Sequence, residues 1–219
     1  STFQLNRIQQ VLKMIRQRHT TQAGVGMMEI LVSLFVLSVG LLGVASLQFT
    51  GTFNNVQSVS RSQGELVARY VAEQLVAVAE PSTTDDGWEI DDAFLNSNIY
   101  NFQNVTCNAN SDNYQCLCLT LPAGIPNCRG AQCSVNDLAS FTGWEASCQA
   151  VRSNPNMWLN VTCNDRDAGD AKLCSSGSLI SIAVSWPVKS STGNSVQADS
   201  RCAITGSTNR ACVIKEITL

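Results

Sequence analysis

The chain has 219 residues, 44% of them hydrophobic, 14% charged and 6% aromatic, with a formal net charge of −3. A charged fraction this far below the roughly 25% of ordinary soluble domains, joined to ten cysteines and a single histidine, argues against a plain cytosolic enzyme and against a disordered tail. Without the first 24 residues, ten basic side chains face seventeen acidic ones, so the remainder lacks the cationic footprint that binds phosphate backbones, which argues against nucleic acid as a ligand.

Arg7, Lys13, Arg16 and Arg18 open the chain, and no acidic residue precedes Glu29. From Arg18 to Arg61 the only formally charged side chain is Glu29, and residues 30–47 form an 18-residue uncharged apolar run. A bilayer span needs about 20 such residues. Basic residues before the run, and none just after it, keep the N-terminus on the cytoplasmic side. The pattern admits a secretory signal peptide with a small-x-small site at Gly43-Val44-Ala45, a simple membrane anchor, or a third arrangement carried by the residues around Glu29.

The string QAGVGMMEILVSLFVLSVGLLGVASLQ over residues 22–48 resembles the type IV prepilin signature: a glycine, five residues ending in Glu, then an apolar helix. The resemblance implies that a prepilin peptidase cuts between Gly24 and Val25 and that Val25 is N-methylated. It also implies that Glu29 pairs with a newly freed terminal amine during filament assembly. Cleavage then precedes the apolar run, so the helix survives processing. A carboxylate at the edge of hydrocarbon is costly without such a partner. The chain divides accordingly into a leader (1–24), a long N-terminal helix (25–80) with its transmembrane and assembly segment at about 30–47, and a disulfide-rich head (81–219).

Beyond Leu47 the apolar residues Phe49, Phe53, Val56, Leu66, Val67, Tyr70, Val71, Leu75 and Val78 recur at helical steps, which predicts one apolar stripe on a continuing helix. Pro81 ends it. A helix over 25–79 would be about 80 Å long at 1.5 Å per residue. Its first half is bare hydrophobic surface that must sit in lipid or in an assembly. Gly40, Gly43, Gly51 and Gly64 weaken helix propensity by roughly 1 kcal/mol each, leaving open a bend, local melting or close helix contacts.

The acidic, turn-rich stretch after Pro81 reads as a surface connection. Its Asp85, Asp86, Asp91 and Asp92 are assigned to a solvated loop, since no calcium-loop pattern accompanies them. In residues 179–188, Ile180, Ile182, Val184 and Trp186 alternate with Ser181, Ala183 and Ser185, predicting a half-buried strand that ends or lies at an edge at Pro187. Residues 201–205 and 211–218 read as a hairpin around GSTNR, with Cys202 and Cys212 facing across it. The pentapeptide NVTCN occurs at 104–108 and again at 160–164, each copy followed by a further cysteine, Cys116 and Cys174. Two similar short strands tied by local disulfides would account for the echo.

All ten cysteines (Cys107, Cys116, Cys118, Cys128, Cys133, Cys148, Cys163, Cys174, Cys202 and Cys212) lie in the last 113 residues. Zinc sites favour paired Cys-x₂₋₄-Cys spacings, often with His. Here Cys116 and Cys118 are too close, no Cys-x-x-Cys occurs, and the one histidine, His19, is in the leader. An even count on the export side of a membrane points to structural disulfides. Their connectivity is open except for an expected Cys202–Cys212 pair. With no histidine beyond the leader, a Ser-His-Asp or Cys-His nucleophile cannot be built. Neither a catalytic residue, a metal site nor a cofactor is expected.

Residues 133–148, CSVNDLASFTGWEASC, predict a short helix with Ser134 as N-cap and Asp137 at the capping-box spacing. Leu138, Ala139 and Trp144 in this segment, the helical core LVSLFVLSVGLLGVASLQ and the late strand ISIAVSWPV resemble the PilV-type minor pilins, the type IV pilus modification proteins. Departures are Val25 in place of the usual Phe, Thr142-Gly143 where an acidic pair is common, and Leu121-Pro122 before the helix instead of after it. The resemblance implies a type IV pilin-like α+β fold, a long helix packed on a disulfide-rich antiparallel sheet. It also implies a non-enzymatic minor pilin that initiates assembly at the filament tip and supports adhesion or motility. Its partners would be other minor pilins, the major pilin, prepilin peptidase, the inner-membrane assembly platform and a tip adhesin. The precursor would sit in the bacterial inner membrane before entering the filament. A type II secretion pseudopilin and a single-span membrane-anchored protein that never polymerises are the competing readings.

Overall fold

The computed structural model describes residues 26–83, 86–107, 112–167, 169–188, 202 and 209–219. It is dominated by helix α1 (Met27–Ala77), followed by a two-residue ribbon of β1 (Glu80–Pro81) and β2 (Trp88–Glu89). Short helix α2 (Asp92–Leu95), a 3-10 turn (Ser97–Ile99), α3 (Asn113–Leu117) and α4 (Val135–Ser153) come next, then strands β3 (Trp158–Asn164), β4 (Leu179–Pro187) and β5 (Arg210–Thr218). The described residues divide into two units, one up to Thr52 and the other from Phe53 to Leu219. It is an α+β arrangement in which a long apolar N-terminal helix packs on an antiparallel sheet.

α1 continues unbroken through Gly40, Gly43, Gly51 and Gly64. Several of its hydroxyls are bonded within the helix. Those of Ser33, Ser38, Thr50 and Thr52 donate to the carbonyls four residues back at 2.7–3.1 Å, which satisfies them inside the helix. In the second unit the buried face of α1 is Ser60, Gly64, Val67, Ala68, Val71, Ala72 and Leu75. This stripe is displaced from the predicted one: Val56 and Leu66 are 59% and 64% exposed, and small residues take their place. The sheet explains the exchange, because an ideal Cβ on Gly64 would lie 2.7 Å from Cζ3 of Trp186. The indole seats directly on the helix backbone, and a smaller residue permits that approach.

The sheet has strand order β3-β4-β5, both pairs antiparallel, with Val161 opposite Ile182 and Ser185 opposite Cys212. β4 ends at Pro187 as expected. The expected half-burial is corrected, however: β4 is central, and Ser181, Ala183 and Ser185 are 8%, 3% and 2% exposed. Arg210, itself buried, explains how Ser185 tolerates this. Its Nε donates to Ser185 Oγ at 3.0 Å and its Nη2 to the carbonyls of Ser185 and Asn156 at 2.8 and 2.9 Å. Burial lowers the arginine's pKa from its ordinary value, and the three neutral acceptors stand in for the lost water.

Two further expectations are revised. The second NVTCN copy lies in β3, but the first, over 104–107, is turn and irregular chain. It follows a tight turn in which Asn101 and Phe102 have φ of 55° and 59° and Gln103 N–H donates to Tyr100 O. Identical residues thus take the conformation their neighbours impose, and β4 supplies a pairing partner only to the second copy. The acidic connection over 82–94, moreover, is not wholly superficial: Ile90 and Phe94 are buried. The proposed hairpin strand 201–205 lies outside the described residues apart from Cys202, and β5 pairs with β4.

Candidate functional site

Of the residues implicated in processing, Gly24 and Val25, like the whole leader 1–24, lie outside the described residues. Glu29 stands in the first turn of α1, where its amide donates to Gly26 O at 2.9 Å. A carboxylate there complements the positive end of the helix. Met27 and Met28 beside it are 85% and 74% exposed. From Gly26 to Thr52 every residue is exposed. Phe35, Leu42 and Leu47 are 70%, 72% and 76% accessible, and a Cβ added at Gly40, Gly43 or Gly51 would meet nothing within 4 Å. Such a helix is long and apolar enough to cross a membrane. Contiguous apolar surface of this extent is not left in water by soluble proteins, which makes it the candidate functional surface, with Glu29 as its only charge.

All ten cysteines are engaged, as Cys107–Cys116, Cys118–Cys148, Cys128–Cys133, Cys163–Cys174 and Cys202–Cys212. The expected Cys202–Cys212 pair forms, and both NVTCN cysteines pair with the next cysteine along. Oxidised in this way, none is available as a thiolate ligand or nucleophile. Three of the four aspartates have partners in the fold: Asp91 caps α2 through Ala93 N–H, Asp92 accepts from Leu173 N–H at 3.0 Å, and the carbonyl of Asp86 accepts from Ser176 Oγ. Asp85 lies outside the described residues. Among the described residues no group of three His, Cys, Asp or Glu is placed to hold a metal ion.

The helix over 135–153 carries the predicted cap: Ser134 Oγ accepts from Asp137 N–H at 3.2 Å and donates to Asp137 Oδ2 at 2.7 Å. It runs one turn past the predicted end, to Ser153, before Asn154-Pro155, since a residue ahead of proline is pushed out of helical geometry. Trp144 is buried and donates to Leu117 O at 2.8 Å. Arg129, held in the Cys128–Cys133 loop, lies over the rings of Phe141 and Trp144 at 5.5 and 5.8 Å and pairs with Glu145 at 2.7 Å. Sequence reading missed this cluster, because Arg129 and Glu145 are sixteen residues apart and meet only in the folded head.

A second missed feature is the loop between β3 and β4. Asp165 Oδ1 accepts from the amide and hydroxyl of Ser175 at 2.9 and 2.7 Å and from Ser178 Oγ at 3.0 Å. The Ser175 amide, then its hydroxyl, hold the carboxyl down at about 2, because each donor favours the ionised form. The same loop reaches the ribbon, where Lys172 pairs with Glu89 and keeps that carboxyl below its usual range. Because the folded pKa of Asp165 is below its unfolded value, its contribution is complete above about 4 and disappears as pH falls toward 2. The expected result is that Asp165→Asn melts lower than the parent at pH 6, with the gap closing between pH 4 and 2. A gap constant with pH would overturn the role given to the carboxylate.

Comparison with protein-family models, with curated proteins and with solved structures finds no match for this chain.

Proposed function

We propose that the chain is a minor pilin of a type IV pilus, with a type IV pilin-like fold. The observation that carries the reading is α1: a lone carboxylate, Glu29, in its first turn, followed by a helix whose apolar residues are exposed on every side through Leu47. An anchor alone needs no carboxylate at that point. Assembly does, since a helix stripped of lipid must find both apolar neighbours and a counter-charge for Glu29. Five disulfides fit a head exported to an oxidising compartment and favour a filament-tip subunit over a type II secretion pseudopilin.

In this reading prepilin peptidase removes 1–24 and the new amine of Val25 is methylated. The precursor rests in the inner membrane with its N-terminus cytoplasmic. The platform then extracts it, with other minor pilins, to begin a filament of major pilin. The head is displayed near the tip, where it supports an adhesin or motility.

Two measurements test this. The N-terminal peptide of protein from its native membrane is expected to begin at methylated Val25; a start at Ser46 or an intact leader overturns the reading. Glu29→Ala is expected to leave membrane abundance unchanged while filament incorporation falls at least about tenfold, the scale of one unpaired charge in hydrocarbon. Incorporation at the parent level would overturn the role of Glu29.

A further inference from the structure

Where α1 ends, residues 77–80 line a groove of about 360 Å³ together with residues of the ribbon, of α2 and of the start of α4. It is lined by the apolar Val78, Phe94 and Leu138 and by the acidic residues Glu80, Glu89 and Asp91. We propose that this groove receives a lysine- or arginine-bearing apolar segment of a partner protein. The proposal concerns the second compact unit and does not depend on the pilin reading.

The electrostatics of the groove are largely of one sign. Glu80 is directly opposite Glu89 in the ribbon register, an arrangement of like charges that costs stability in a cross-strand pair. Lys172 pairs with Glu89 and Asp91 accepts from Ala93 N–H as the α2 cap, while Glu80 is exposed. The last turn of α1 carries no basic residue, and its negative end therefore adds to the field at Ala77–Ala79 instead of being complemented by a side chain. The opposing positive end of α4 is already matched by Ser134 and Asp137.

The floor decides between a bare cation and a side chain. The carboxylates do not converge as metal ligands among the described residues, while Val78 and Leu138 are half-buried beside them and Val135 is 44% exposed at the same edge. A group that satisfies both has an apolar stem and a charged tip, which is the form of Lys and Arg. The volume lies at the small end of the roughly 300–1,000 Å³ of ligand sites, enough for one or two side chains and too little for a folded element.

The test uses the full chain in detergent micelles, with amide chemical shifts followed on titration of acetyl-Leu-Arg-Leu-amide and of the same peptide with neutral citrulline for arginine. Shifts are expected at residues 77–80, 89–94 and 135–138. The citrulline peptide is expected to bind about fivefold more weakly, the scale of a partly exposed ion pair. Glu80→Gln should weaken the arginine peptide by about the same factor. Glu73→Gln, which removes a carboxylate from the exposed Arg69–Glu73 pair on α1, is expected to leave binding within about twofold. The proposal is overturned by equal binding of the two peptides, by equal effects of the two substitutions, by shifts elsewhere or none at millimolar peptide. It is overturned equally if the same amides shift with protein concentration alone, since a second copy would then be the occupant.

Discussion

Gly143→Val is expected to destabilise the second compact unit by about 3 kcal/mol or more, the upper part of the range for overpacking. A Cβ at Gly143 would lie 2.6 Å from the carbonyl oxygen of Ile99 and 2.7 and 2.8 Å from its Cγ1 and Cβ. That carbonyl has little freedom to retreat. Only Tyr100 separates it from the left-handed pair Asn101–Phe102, and Asn101 is tied on three sides. Its amide donates to Ser147 Oγ at 2.8 Å, its Nδ2 donates to Leu159 O at 2.7 Å, and its Oδ1 accepts from Leu159 N–H at 2.8 Å. The side-chain amide thus pairs with the free edge of β3 as a neighbouring strand would. Pushing the turn away from α4 breaks bonds worth about 1 kcal/mol each in addition to the clash. Denaturant unfolding of the full chain in micelles, followed by tryptophan fluorescence, measures the loss. Gly40→Val, where nothing lies within 4 Å, is the control expected to leave that transition in place. A Gly143→Val transition within about 1 kcal/mol of the parent would mean that the turn yields and that its anchoring is weaker than argued.

Replacing Cys118 and Cys148 together by alanine is expected to cost about 3.5 kcal/mol, against about 2 kcal/mol for Cys128 and Cys133 together, from the loop-closure entropy of the unfolded chain. The first pair spans 30 residues and joins α3 to α4, while the second spans five. The same unfolding experiment ranks them. Equal losses would show that these bonds act on the folded state and not through the length of chain they close.

How much of this architecture can be read from the residues depends on how local its cause is. The helix of α1 is local: an uncharged run with helical recurrence has few other conformations open to it, although it ends at Ala77, short of the expected stop at Pro81, which belongs to β1. The Ser134 cap is local too, since donor and acceptor are three residues apart. β4 was legible as a strand and its end at Pro187 as an end. Its burial on both faces was not, because alternation of Ile and Ser describes side-chain direction and says nothing of what covers the polar face; Arg210, 25 residues away, does so at Ser185.

Cysteine content alone implied disulfides, and the hairpin reading singled out Cys202–Cys212. The Cys118–Cys148 bond was not legible, since it requires α3 to be laid against α4 first. The glycines make the same point. Thr142-Gly143 looked like a departure from a family pattern, and Gly64 like a mere weakness in a helix. Only when Ile99 and Trp186 arrive from distant parts of the chain does either position acquire a reason to lack a side chain. The carboxylates Glu80, Glu89 and Asp91 likewise share one groove because a two-residue ribbon sets two of them face to face. Periodicity, charge and proline act over a turn or two of chain, and they settle what this protein exposes to its surroundings at the N-terminal end. Close packing acts between segments that meet only after folding, and it settles where the head is crowded, where it is open, and which carboxylates are left facing the groove.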